Sequence, residues 1–255
     1  MFGHRRRRRA QLMQAEPPAA WSDILARRVP LVALLDDADH HELFGKMQIF
    51  LDEKIFEGCG GLTITDEIKV TIAAQACILL LHRDTEFYPD LDTILVYPHA
   101  YVSHVARRRP DGTVEEGAQA RLGESWARGV VVLSWDDVVA GAADIHDGHN
   151  VVLHEFAHQL DNEAGIGDGA PALPRASMYV AWARVLGAEY AHLLDDIHRR
   201  RPTVLDPYGA TNPAEFFAVA TETFFEKSAA LRRLHPELYE QLRLFYRQDP
   251  AALVG

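Results

Sequence analysis

The chain has 255 residues, enough for one large domain or two small ones, and enough to bury a core without disulfide staples. Hydrophobic residues make up 48%, charged residues 25% and aromatic residues 9%, which excludes the disordered and collagen-like classes. The formal net charge is −11; five of the positive charges sit together at Arg5 to Arg9, so the remainder carries −16, a field that opposes direct binding of nucleic acid.

In chain order, the arginine run reads as a disordered basic tail over 1–20 ahead of a single domain over 21–255. The stretch from Ala10 to Pro18 lacks the apolar core of an export signal. Leu43, Phe44, Met47, Phe50, Leu51 and Ile55 recur at helical spacing and predict a helix from Asp36 to Glu57, stopped by Gly58, Cys59, Gly60 and Gly61. Thr65, Asp66 and Glu67 start another, and Ile68 to His82 is apolar nearly all round, which predicts a central buried helix. Its most apolar part, Ile72 to Leu81, is about half the length of a bilayer span and contains Gln75. Cys59 and Cys77 are too few for a disulfide scaffold or a four-thiolate zinc site and read as reduced thiols. A cytoplasmic protein without a membrane partner is expected.

Three β-rich runs follow, Thr93 to Tyr97, Tyr101 to Val105 and Gly129 to Leu133, broken by Pro98, by Pro110-Asp111-Gly112 and by Gly123. The last fits equally a sheet edge able to align an extended substrate and an ordinary internal strand. Asn150 to Asn162 predicts a helix, Gly165 to Pro171 a loop, and Ser177 to Arg200 a long amphipathic helix with Trp182, Val185, Leu186, Leu193, Leu194 and Ile197 on its apolar side. Two more helices are predicted at about Pro213 to Lys227 and Pro236 to Gln248. The expected architecture is a mostly helical α+β domain with a small β-sheet preceding the Asn150 to Asn162 helix.

Within that helix His154-Glu155-Phe156-Ala157-His158 fits H-E-x-x-H. On a helix the two histidines project from one face and can bind one Zn²⁺, while Glu155, turned about 100° away, can serve a water as general base. Random placement of the 13 histidines and the glutamates of this chain yields only about 0.04 such strings. Catalytic zinc takes three protein ligands as a rule. The extended H-E-x-x-H-x-x-G-x-x-H pattern is absent, because Asp161 and Ala164 stand where its glycine and third histidine would be. A downstream glutamate must supply the third ligand, and Glu163, Glu189, Glu215, Glu222 and Glu226 are the candidates, with Glu163 too close in sequence to fold back easily. Glu215 and Glu222 share one helix face, so spacing leaves them open as ligand and supporting carboxylate in either order. Asn212, Pro213 and Glu215 also resemble a capping box.

The run Asn150-Val151-Val152-Leu153-His154-Glu155-Phe156-Ala157-His158-Gln159-Leu160-Asp161, with Tyr208 to Val219, Glu222-Thr223-Phe224-Phe225, Gly123-Glu124-Ser125-Trp126 and Val131 to Trp135, resembles the Mlc titration factor A family of bacterial zinc peptidases over roughly Asp36 to Gln248. The resemblance implies a gluzincin-like catalytic domain similar to that of the anthrax lethal factor protease. It implies His154, His158 and Glu215 as zinc ligands, Glu155 as catalytic base and Tyr208 as hydroxyl donor to the developing oxyanion. Asp161 and Glu222 would stand behind the ligands. The Arg5 to Arg9 run lies outside the family pattern in this reading.

The function so implied is hydrolysis of peptide bonds by zinc-activated water, aminopeptidase-like on short peptides. The alternative is a regulatory binding protein that sequesters a transcriptional repressor of sugar uptake, of the Mlc type, with peptidase activity secondary. Of the 13 histidines, only His154 and His158 have a placement that this chemistry requires.

Overall fold

A computed structural model describes residues 2–108, 114–121, 123–126, 129–163, 165 and 167–253. The first half alternates helices and strands: α1 (Phe2–Gln14), α2 (Ala20–Arg28), a 3-10 turn (Pro30–Leu34), α3 (Asp37–Glu53), β1 (Ile55–Gly58), α4 (Asp66–Ile78), β2 (Thr93–Tyr97), β3 (Tyr101–Arg108), β4 (Val114–Arg121), β5 (Gly123–Trp126) and β6 (Val130–Ser134). The second half is helical: α5 (Trp135–Ala143), α6 (Val151–Asn162), α7 (Met178–His198), a 3-10 turn (Pro207–Ala210), α8 (Pro213–Glu226), α9 (Ser228–Leu234), α10 (Pro236–Tyr246) and α11 (Pro250–Leu253). The result is the expected mostly helical α+β fold with a small sheet ahead of the motif helix. No helix among the described residues is long and apolar enough to cross a membrane.

The sheet has the order β1, β2, β6, β5, parallel except for the β5 to β6 pair, while β3 and β4 form a separate antiparallel ribbon. β6 is therefore interior: Val131 pairs with Ile94 on one side and Ser125 on the other. The reading of Gly129 to Leu133 as a substrate-aligning edge is overturned, because the continuous Val130-Val131-Val132-Leu133 run is that of a strand buried between neighbours. The helix predicted to reach Glu57 ends at Glu53. Lys54 turns extended, Ile55 N–H donates to the Asp92 carbonyl, and Ile55 and Phe56 join the sheet beside Thr93 and Ile94. Tertiary pairing there overrides the local helical period.

Helix α4 lies at the centre, with Ile68 and every residue from Val70 to Ile78 buried. Thr65 caps it by accepting from Ile68 N–H. The rings of Phe50, Tyr88 and Phe156 pack with centroids 4.9 to 6.1 Å apart, which seats the inner face of α6 against α3. A second cluster, Trp182, Phe217 and Phe245, joins α7, α8 and α10 at 5.5 to 5.8 Å. Each such ring contributes about 1.5–3 kcal/mol by burial, so both helices of the site are anchored from behind. On α7, Trp182, Val185, Leu186 and Leu193 are buried as expected, but Leu194 and Ile197 reach the surface.

The basic run departs most from its expected form. It is helix α1, which packs along α3 where Gly45 lets Met13 approach. Arg5 and Arg9 both grip Glu53, Arg8 bonds Asp52, and Arg9 also reaches Glu86 and lies over the Phe87 ring. A run that reads as a solvated tail in isolation is ordered by acidic partners far along the chain. Burial opposes ionisation of Glu53, yet the Arg9 and Arg5 hydrogen bonds prevail and hold it down to about 2. Its contribution is thus present above the ordinary carboxylate range and lost as pH falls through about 2. Arg9→Ala should cost about 1 kcal/mol in urea unfolding near neutral pH, and the difference from wild type should shrink in strong acid.

Candidate metal centre

Helix α6 begins at Asn150, whose side-chain oxygen accepts from Val152 N–H and Leu153 N–H as an N-cap. Residues Val152, Leu153, Phe156, Ala157 and Leu160 face the core, which turns His154 and His158 toward α8. Helix α8 is started by Asn212 and Pro213, with Asn212 Oδ1 accepting from Glu215 N–H at 3.0 Å. Half of the capping box is thus present, while the Glu215 carboxylate turns away to the histidines.

The two helices face each other as an antiparallel ladder. Asn150, His154 and His158 of the first meet Glu226, Glu222 and Glu215 of the second in reverse order. His154 Nε2 lies 2.9 Å from Glu215 Oε2, His158 Nε2 lies 3.3 Å from the same oxygen, and the two Nε2 atoms are 3.2 Å apart. Ligands at 2.0–2.1 Å on a tetrahedral ion stand about 3.3 Å from one another, so the three donors fit around one metal. On its far side His154 Nδ1 donates to Glu222 Oε1 at 2.7 Å. Burial disfavours the charged His154 ring, but the hydrogen bonds to Glu215 and Glu222 outweigh it and lift it to about 10. Glu215 is likewise opposed by burial and held down to about 2 by His154 and His158.

Glu155 is 5% exposed, and its Oε2 has no hydrogen-bond partner among the described residues. Burial raises its pKa; the two imidazoles oppose that, and Glu215 and Glu222 add to it. Tyr208 stands at the open side, 55% exposed, its ring 5.9 Å from that of His154. The turn carrying it is tied down by Asp206, which accepts from Tyr208 N–H, and by Tyr190, whose hydroxyl donates to the Ala210 carbonyl. Asp161 is buried and turned to the following loop, where its Oδ2 accepts from Gly169 N–H at 2.8 Å. Gly169 has φ +83°, and an added Cβ would strike the Pro213 carbonyl, so this loop lies tight against the start of α8.

The remaining glutamates separate cleanly. Glu163 lies outside the group and is raised by burial; Glu189 is turned toward His192 and His235; Glu226 accepts from Asn150 Nδ2 and is pushed up by burial to about 8. The role of Asn150 is what motif reasoning misses. Its Nδ2 also donates to Gln75 Oε1 in the buried α4, and its N–H donates to Glu222 Oε2. The one available signal is Gln75, a polar residue set in the apolar stretch from Ile72 to Leu81.

Such a centre, with two imidazoles and a carboxylate converging beside the buried Glu155 carboxylate, is of the metallopeptidase kind. Residues 3–247 match the model of the family described as glucose-regulated metallo-peptidase M90, a span that includes the arginine run. The chain is 46% identical over 246 residues to an uncharacterized protein of Synechocystis sp., covering 95% of this chain and 89% of that protein. It is 34% identical over 242 residues to the Mlc titration factor A of Serratia proteamaculans, covering 94% and 90%, and 30% identical over 251 residues to that of Yersinia pestis, covering 96% and 90%. The chain belongs to the M90 metallopeptidase family, together with the Mlc titration factor A proteins.

Asn150→Ala removes an N-cap and leaves Glu226 and Gln75 without their shared donor. It should cost about 2–4 kcal/mol in denaturant unfolding, more than an exposed cap alone.

Proposed function

We propose that the chain is a zinc-dependent peptidase that hydrolyses peptide bonds with Glu155 as general base, aminopeptidase-like on short peptides. The observation that carries this is the near-tetrahedral spacing of His154 Nε2, His158 Nε2 and Glu215 Oε2 on the helix turn that also carries the buried Glu155, whose Oε2 has no hydrogen-bond partner among the described residues. Those three residues would hold the ion, and two imidazoles with one carboxylate are a ligand set that suits zinc. When bound, zinc polarises the substrate carbonyl and lowers the pKa of water toward neutrality. Glu155, desolvated and raised, takes the proton of the attacking water and returns it to the leaving amine. The Tyr208 phenol, at the exposed mouth, donates to the carbonyl oxygen as it gains charge. Glu222 fixes the His154 ring through Nδ1, so that Nε2 would face the ion, and Asp161 holds Gly169 against the start of α8. The two free thiols suit a reducing, cytoplasmic setting.

Glu155→Gln should bind as much zinc as wild type and keep the native fold while losing peptide hydrolysis by at least about 10³-fold, and Tyr208→Phe should lower kcat about 10²-fold with little change in KM. Wild-type rates in Glu155→Gln, read on short chromogenic peptides, would overturn the assignment.

A second reading is favoured by the name of the relatives at 30–34% identity: regulatory binding of a transcriptional repressor of the Mlc type, with hydrolysis secondary. The acidic charge of the chain suits a protein partner rather than DNA. In this reading the Glu155→Gln chain should capture the purified repressor as tightly as wild type in calorimetry, and equal failure of both chains to bind would remove it.

A further inference from the structure

Away from the centre, α7 carries Glu189 and His192 one turn apart, with Asp196 one turn further on the same face. His235 arrives from the junction of α9 and α10. It occupies the N-cap position of α10 without capping it, and its ring turns instead to Glu189, with Nδ1 2.7 Å from Oε2. His192 Nδ1 faces the same carboxylate oxygen at 3.8 Å, and the two rings are 5.8 Å apart. One carboxylate oxygen thus faces two imidazole nitrogens from two separate elements, and the donor atoms of all three residues lie within 4.8 Å of one another.

We propose that Glu189, His192 and His235 form a second divalent metal site, of the zinc class, independent of the one at His154. The other nitrogen of His192 supports this. Nε2 lies 3.3 Å from Asp196 Oδ2, so a proton held there leaves Nδ1 as the lone-pair donor aimed at Glu189. That carboxylate, imidazole and metal order is the arrangement by which ligand histidines are oriented elsewhere. Small movements would close the set to metal distances: His192 is 54% exposed and has only to swing toward Glu189, while Glu189 and His235 are largely enclosed and already in contact. A cavity of about 180 Å³ adjoins both imidazoles, walled by Leu193, Val204, Leu205 and Leu234, and gives space for a water or a small ligand as fourth donor. Bound there, an ion would clamp α7 to the α9 to α10 junction.

The test uses the full chain, stripped with a chelator and titrated with Zn²⁺ in a calorimeter. Wild type should take up two equivalents and the His192→Gln, His235→Gln chain one. In a His154→Ala, His158→Ala background one equivalent should persist, and Zn²⁺ should raise the unfolding temperature. Adding His192→Gln and His235→Gln to that background should abolish both effects. Because His192 and His235 lie outside the H-E-x-x-H centre, the wild-type comparison stands even where the His154 and His158 variant folds poorly, and it separates failure of this site from failure of the peptidase centre. Unchanged stoichiometry on replacing His192 and His235, or a wild-type chain with a single equivalent that their replacement leaves in place, overturns the proposal.

Discussion

The pairing of α6 with α8 along their polar stripes is the constraint on which the rest of the structure depends. Asn150, His154 and His158 lie one turn apart on the first helix, and Glu226, Glu222 and Glu215 run opposite them on the second. Glu222 and Glu226 are buried, and a buried carboxylate costs several kcal/mol unless it is paired or protonated. Each glutamate therefore needs its partner across the ladder, and a slip of one helix along the other would strand charge in the core. The same register brings Nε2 of both histidines onto one Glu215 oxygen. Stability and metal geometry are thus set by one contact surface.

The core holds that surface in place. Phe156 alternates with the two histidines along α6 and is buried against Phe50 and Tyr88, while Phe217 and Phe224 pack α8 against α7 and α10. Gln75 on the central helix reaches Asn150, and Gly141 of α5 lets the Asn150 backbone approach to where a Cβ would collide. Tyr208, by contrast, sits on a short exposed turn tied by backbone hydrogen bonds. In the proposed peptidase, rigid donors would keep the geometry of the centre while a more accessible phenol would leave room for a peptide.

Charge is distributed with similar economy. The acidic excess that disfavours nucleic acid also supplies partners of α1, whose Arg5, Arg8 and Arg9 are bound by Asp52, Glu53 and Glu86. Histidine usage follows the same pattern. Beyond the motif pair, His192 and His235 meet at a carboxylate on another face of α7. The fold thus gathers His192 and His235, 43 residues apart in the chain, onto one carboxylate.

By itself, the amino-acid sequence determined the motif helix and its cap, the buried central helix, the α8 start at Asn212 and Pro213, and the class of chemistry, because these rest on spacings of three or four residues. The family likeness was legible for the same reason, in long runs around His154 and Glu215. Only the tertiary structure decided that β6 is interior, that Ile55 and Phe56 leave the helix for the sheet, that the arginine run is a docked helix, and that Glu189 belongs with His192 and His235. Each of these depends on a partner 37 to 77 residues away, and local periodicity carries no record of which distant carboxylate, strand or ring will stand opposite. Asn150 shows the division most clearly. Its capping role is written in the residues that follow it, while its hold on Gln75, Glu222 and Glu226 exists only once three helices meet.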